Sequence, residues 1–121
     1  MTTPSGHTRA ICAKKVIGTD IKNAAGDKIG TVEDVVLDKM SNDIMFAVAG
    51  FGGFLGMGEK YHPLPWAVLD YQPEENAYVC AIDEDRLKAA PADSIEELTK
   101  DDGQAFRNVS YEYYGVTPYW T

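Results

Sequence analysis

Between residues 16 and 82 apolar positions come in short runs separated by turn-forming residues, and after residue 82 they recur with a helical period. Residues 16–21 form a short β-like run, followed at 23–27 by Asn, Gly and Asp, which suit the positive φ and side-chain-to-backbone bonds of a hairpin turn. Residues 28–39 are dominated by β-branched side chains, with Ile29, Thr31, Val35 and Leu37 predicted on one strand face, and Asp34 and Asp38 turned to water. A turn at 40–43 leads into 44–50, whose run Met45-Phe46-Ala47-Val48-Ala49 is short enough for a core strand. Residues 61–66 carry Pro63 and Pro65, which remove ladder donors and so predict an edge strand. Residues 69–71 and 77–82 make a last hairpin around the turn 72–76. Five or six short strands with tight turns predict a mainly β chain, a small antiparallel β-barrel of about six strands.

The remainder predicts C-terminal helices and an aromatic tail. Asp83 stands where a helix cap belongs, Glu84 and Asp85 occupy the favourable first turn, and Pro91 closes the segment. Ser94 and Glu97 have capping-box spacing. Asp101-Asp102-Gly103 then interrupts the helical pattern ahead of a further helix, with Ala105, Phe106, Val109 and Tyr113 as its apolar face and Gly115 as its stop. Residues 1–12 are small and polar and read as a flexible terminus.

The chain has 121 residues, a length that suits one core rather than two. Its net charge of −8 is local, because residues 70–102 contain eleven acids and three bases while the rest is balanced. A basic face for counterion-release binding is therefore missing from the pattern, which argues against nucleic-acid and anionic-membrane partners. No apolar run approaches the ~20 residues of a transmembrane helix and the first residues do not read as a leader, so a cytoplasmic location is expected. Cys12 and Cys80 are too few for a disulfide framework and lack zinc-ligand spacing.

Candidate chemistry is sparse. The segment 50–58 holds five of the eleven glycines, yet Gly58 is followed by Glu59-Lys60-Tyr61, which places a carboxylate where a P-loop holds phosphate. No Gly-x-Gly-x-x-Gly is present. The apolar side chains between these glycines, Phe51, Phe54, Leu55 and Met57, either tuck over a barrel end or form a surface for a partner. Tyr113, Tyr114, Tyr119 and Trp120 must cover apolar surface on their own barrel or on a second subunit, which makes a homodimer a natural expectation. Glu33 and Asp34, adjacent on a strand, point to opposite faces; with His62 they bound one possible cleft for a small ligand or for proton handling. No Ser/His/Asp, Cys/His or metal-ligand arrangement emerges, so no catalytic residue, metal or cofactor is expected.

Several stretches together resemble the PRC-barrel domain, the fold of the cytoplasmic part of the photosynthetic reaction centre H subunit. They are Val16-Ile17-Gly18-Thr19-Asp20, Gly26-Asp27-Lys28-Ile29-Gly30 with Val32-Glu33-Asp34, the run from Phe51 to Lys60, Pro65-Trp66, and Leu87 with Pro91. The resemblance implies a PRC-barrel, which together with the readings above divides the chain into a flexible terminus at 1–12, the barrel at 13–91, and a helical extension with an aromatic arm at 92–121. It further implies a non-enzymatic interaction or scaffold module, self-associating or bound to a protein partner not yet identified. Small-ligand or proton handling beside a photosynthetic or redox complex, and a role as a ribosome-assembly adaptor, are the alternatives the resemblance carries.

Overall fold

The computed structural model describes residues 10–51 and 60–120. A single helical turn, α1 (Ala13–Val16), precedes six strands: β1 (Asp20–Lys22), β2 (Lys28–Leu37), β3 (Ile44–Phe51), β4 (His62–Leu64), β5 (Leu69–Gln72) and β6 (Ala77–Cys80). Helices α2 (Glu84–Lys88), α3 (Ile95–Thr99) and α4 (Gln104–Tyr114) follow. All six strands share one sheet in the order β4-β3-β2-β1-β6-β5.

The expected wholly antiparallel barrel is corrected on two counts. Ile21 and Lys22 of β1 pair in parallel with Tyr78 and Val79 of β6, whereas the other pairings are antiparallel. The sheet is also open, since β4 and β5 end the strand order instead of pairing with each other. A 3-10 turn, Trp66–Val68, links these two outermost strands. The five residue steps from Leu64 to Leu69 reach at most about 18 Å, while a flat sheet of six strands would put its edges ~24 Å apart. The sheet therefore has to curl into a half-barrel.

Two bulges decide which side chains enter the concave face. Along β2, Val32 pairs with Ala49 but Asp34 pairs with Val48, so Glu33 is an extra residue that reverses the alternation. Val32 is fully buried, whereas Leu37, expected inside, lies beyond the second register shift, between Val36 and Leu37, and is 63% exposed. The first strand is likewise shorter than expected, because Val16 closes α1 and only residues 20–22 join the ladder.

The sheet has a core on each face. Ile21, Val32, Ala47, Ala49, Phe51, Leu64 and Tyr78 fill the concave side, joined by Leu87 of α2 and Tyr114 of α4. Met45, Phe46, Val48 and Leu98 form a second cluster with Phe106, where α3 and α4 cover the other face. The end of α4 is fixed by reciprocal bonds with α2. The Arg86 guanidinium donates to the Tyr113 carbonyl and the Tyr113 hydroxyl donates to the Arg86 carbonyl at 2.6 Å.

Helix ends follow the sequence with one exception. Ser94 Oγ accepts from the Glu97 amide as its spacing predicts, but the Asp83 side chain makes no cap bond. The break before α4 consists of three consecutive left-handed residues, Asp101, Asp102 and Gly103. The face that α4 buries carries Phe106, Ser110, Tyr111 and Tyr114, while Val109 remains 48% exposed. The expected face of Ala105, Phe106, Val109 and Tyr113 is thus rotated. Tyr111 sets the helix orientation by donating its hydroxyl to the Met45 carbonyl at 3.0 Å.

Candidate functional site

Among the described residues, Glu33, Asp34 and His62 are not brought together around one cleft; most of the glycine loop expected to bound it lies outside them. Glu33 projects to solvent from the bulge, and Asp34 Oδ1 is used by the Val35 amide at 2.7 Å. His62 lies across β3 on the concave side, 3% exposed, with its ring 5.2 Å from that of Phe51. Burial pushes the His62 pKa below its usual value, partly offset by a hydrogen bond to the Pro91 carbonyl. The neutral imidazole therefore belongs to the folded state, and the unfolded chain takes up the proton more readily. Stability should be full above about pH 6.5 and fall as pH drops below it, with a slope of at most ~1.4 kcal/mol per pH unit. Urea unfolding between pH 7.5 and 5 tests this: His62→Gln should flatten the dependence, and an unchanged slope would assign it to other groups.

The residues expected to meet a partner separate into three groups. Phe51 is only 1% exposed and belongs to the concave core, so it offers nothing to a partner on the folded sheet. Phe54, Leu55 and Met57 lie outside the described residues. The aromatic arm covers its own chain. Tyr114 is buried in the concave core, with Tyr113 packed against that cluster and beside Arg86.

Tyr119 and Trp120 fold back onto the β2–β3 hairpin and α4. The Trp120 ring lies 4.8 Å from that of Tyr111 and stacks under the Arg107 guanidinium at 3.9 Å. The Tyr119 hydroxyl donates to Asp38 Oδ2 at 2.7 Å. That bond and the Met40 amide hold the Asp38 carboxyl below its ordinary pKa, while burial and the same bond push Tyr119 up to about 12. At neutral pH the pair is fixed as phenol and carboxylate, a charge-assisted tie across the sheet end.

Beside this tie, the tip of the β2–β3 hairpin, the 101–103 break and the start of α4 line a half-open cavity of about 680 Å³. Leu37 and Met40 stand on its rim, 63% and 94% exposed. No motif in the sequence joins these residues into one site. Tyr119 and Trp120 stand out only as part of the aromatic arm, Asp38 and Arg107 belong to no local motif, and Tyr119 is 81 residues from its partner Asp38. The one signal available was the Asp38–Asp43 turn itself, where Asp38 Oδ1 accepts the amides of Met40 and Ser41.

Cys80 is buried and its thiol pKa is raised by that burial, as suits an inert side chain; Cys12 is exposed. Among the described residues no group of three His, Cys, Asp or Glu side chains is placed to hold a metal ion. None of their helices is long and apolar enough to cross a membrane.

A curled, open six-stranded sheet with helices packed against it defines the class of protein as a small β half-barrel. The sequence matches the PRC-barrel domain model over residues 10–87, and the chain belongs to that family. The match ends within α2, so α3, α4 and the aromatic arm lie beyond it. No curated protein matches the chain.

Proposed function

We propose that this PRC-barrel protein is a non-catalytic interaction module that self-associates in the cytoplasm through the tip of its β2–β3 hairpin. The observation that carries the reading is the exposure of Leu37 and Met40 together on one turn held by Asp38. Single exposed apolar side chains are ordinary, but two on a braced hairpin beside a recess are a ready contact surface. The aromatic arm contributes by bracing the hairpin from behind.

In a two-fold dimer each contact is made twice. Removing one partly covered Leu or Met at ~1.5 kcal/mol per site weakens such a dimer by about 3 kcal/mol, roughly a hundredfold in Kd. Sedimentation equilibrium should therefore show self-association of the intact chain at micromolar concentration and a monomer for Leu37→Lys or Met40→Glu. A monomer for the unaltered chain, or an unaffected dimer in both variants, overturns the reading.

A further inference from the structure

We infer that the cavity between the β2–β3 hairpin tip and α4 is a binding site for a small organic anion with a hydrocarbon body. The first ground is its shape and lining. About 680 Å³ falls within the range of small-molecule sites, and Val36, Leu37, Met40, Met45 and Trp120 give it an apolar wall. Two of these are methionines, whose unbranched thioether chains adjust to an irregular apolar guest.

The second ground is Arg107. Its side chain is 13% exposed, yet its hydrogen-bonding capacity is only partly used. Nε donates to Asn108 Oδ1 at 3.2 Å, while Nη1 forms an ion pair with Asp38 Oδ2 at 3.9 Å, too long to count as a hydrogen bond. The Tyr119 hydroxyl oxygen accepts a further hydrogen bond from the guanidinium. A guanidinium has five N–H donors, so Arg107 retains donors for an acceptor entering the cavity whose wall it forms. Trp120 stacks on its face and fixes the fork in place.

The charges of the wall balance, Arg107 and Lys39 against Asp38 and Asp102, and what separates the two signs is the hydrogen-bonding capacity still open. Asp38 has little left to offer a cation, because Oδ1 accepts two amides and Oδ2 the Tyr119 hydroxyl. Thr99 donates its hydroxyl to carbonyls of its own helix. Lys39 and the Gln104 amide add donors at the exposed rim, set against two carboxylates of the wall, Asp38 and the exposed Asp102. A carboxylate on Arg107 with its hydrocarbon chain along Met45, Leu37 and Met40 satisfies both halves of the cavity.

The inference does not depend on self-association. Its test is a titration of the intact chain with decanoate and with decanol, the uncharged counterpart of equal length, followed by amide and indole NMR shifts. Decanoate should bind saturably at one site, at least tenfold tighter than decanol, with shifts confined to residues 36–41, 99–104 and the Trp120 indole. Arg107→Gln should erase the tenfold preference while leaving decanol affinity within twofold, and Met40→Asp should weaken both ligands. Equal affinity of the two ligands in the unaltered chain overturns the proposal, even if the Arg107 variant fails to fold. So do shifts centred elsewhere, or a preference that survives Arg107→Gln.

Discussion

Gly30→Val is expected to destabilise the protein by roughly 3 kcal/mol or more, lowering its Tm on the order of 10 °C. Gly30 pairs with Phe51, whose side chain belongs to the concave core. A Cβ at this position would lie 2.3 Å from the Gly50 carbonyl oxygen and 2.6 Å from Phe51 Cδ1. Backbone cannot yield as a side-chain tip does, and the Phe51 ring is held by the core around it. The cost therefore comes from steric overlap and not from backbone conformation, and Gly30→Ala should already show much of it. Thermal unfolding followed by circular dichroism measures the effect; a loss below 1 kcal/mol for valine would mean that the two strands are further apart at this point.

Phe46→Ala is expected to cost about 3–5 kcal/mol through lost burial and the void left behind. Phe46 is fully buried in the cluster that joins the sheet to α3 and α4, with Val48 and Leu98 beside it. Because the concave core does not contain Phe46, the damage should be uneven. Hydrogen exchange should show α4 amides losing more protection than those of the β1–β6 pairing. Equal losses throughout would show that the two cores unfold as one unit.

The two substitutions probe what the sequence made legible and what it did not. Strand positions were readable because local turn chemistry marks them: Asn23 Oδ1 accepts the amides of Ala25 and Asp27, and Pro63 points to an edge. The face assignment within β2 was not readable, since a bulge at Glu33 leaves no trace in composition. The parallel β1–β6 pairing joins Ile21 to Tyr78, residues too far apart for any local pattern to connect. For α4, apolar periodicity pointed to Val109, whereas the helix is oriented by a polar tie from Tyr111 to the Met45 carbonyl. The site itself was hidden for the same reason. Arg107, Trp120 and Asp38 acquire meaning only when the arm folds across the hairpin.

The short link between β4 and β5 also bears on how the protein avoids aggregation. Open sheets expose two rows of unpaired backbone groups, which invite pairing with another chain. Here both outer strands are brief, three residues in β4 and four in β5. Pro63, in the middle of β4, offers no N–H to an incoming strand. The Trp66–Val68 turn draws the two edges toward each other, so an approaching chain meets a narrow covalent bridge where a longer connection would have left a gap. An open half-barrel thereby gains much of the protection of a closed one without completing its hydrogen-bonded ring.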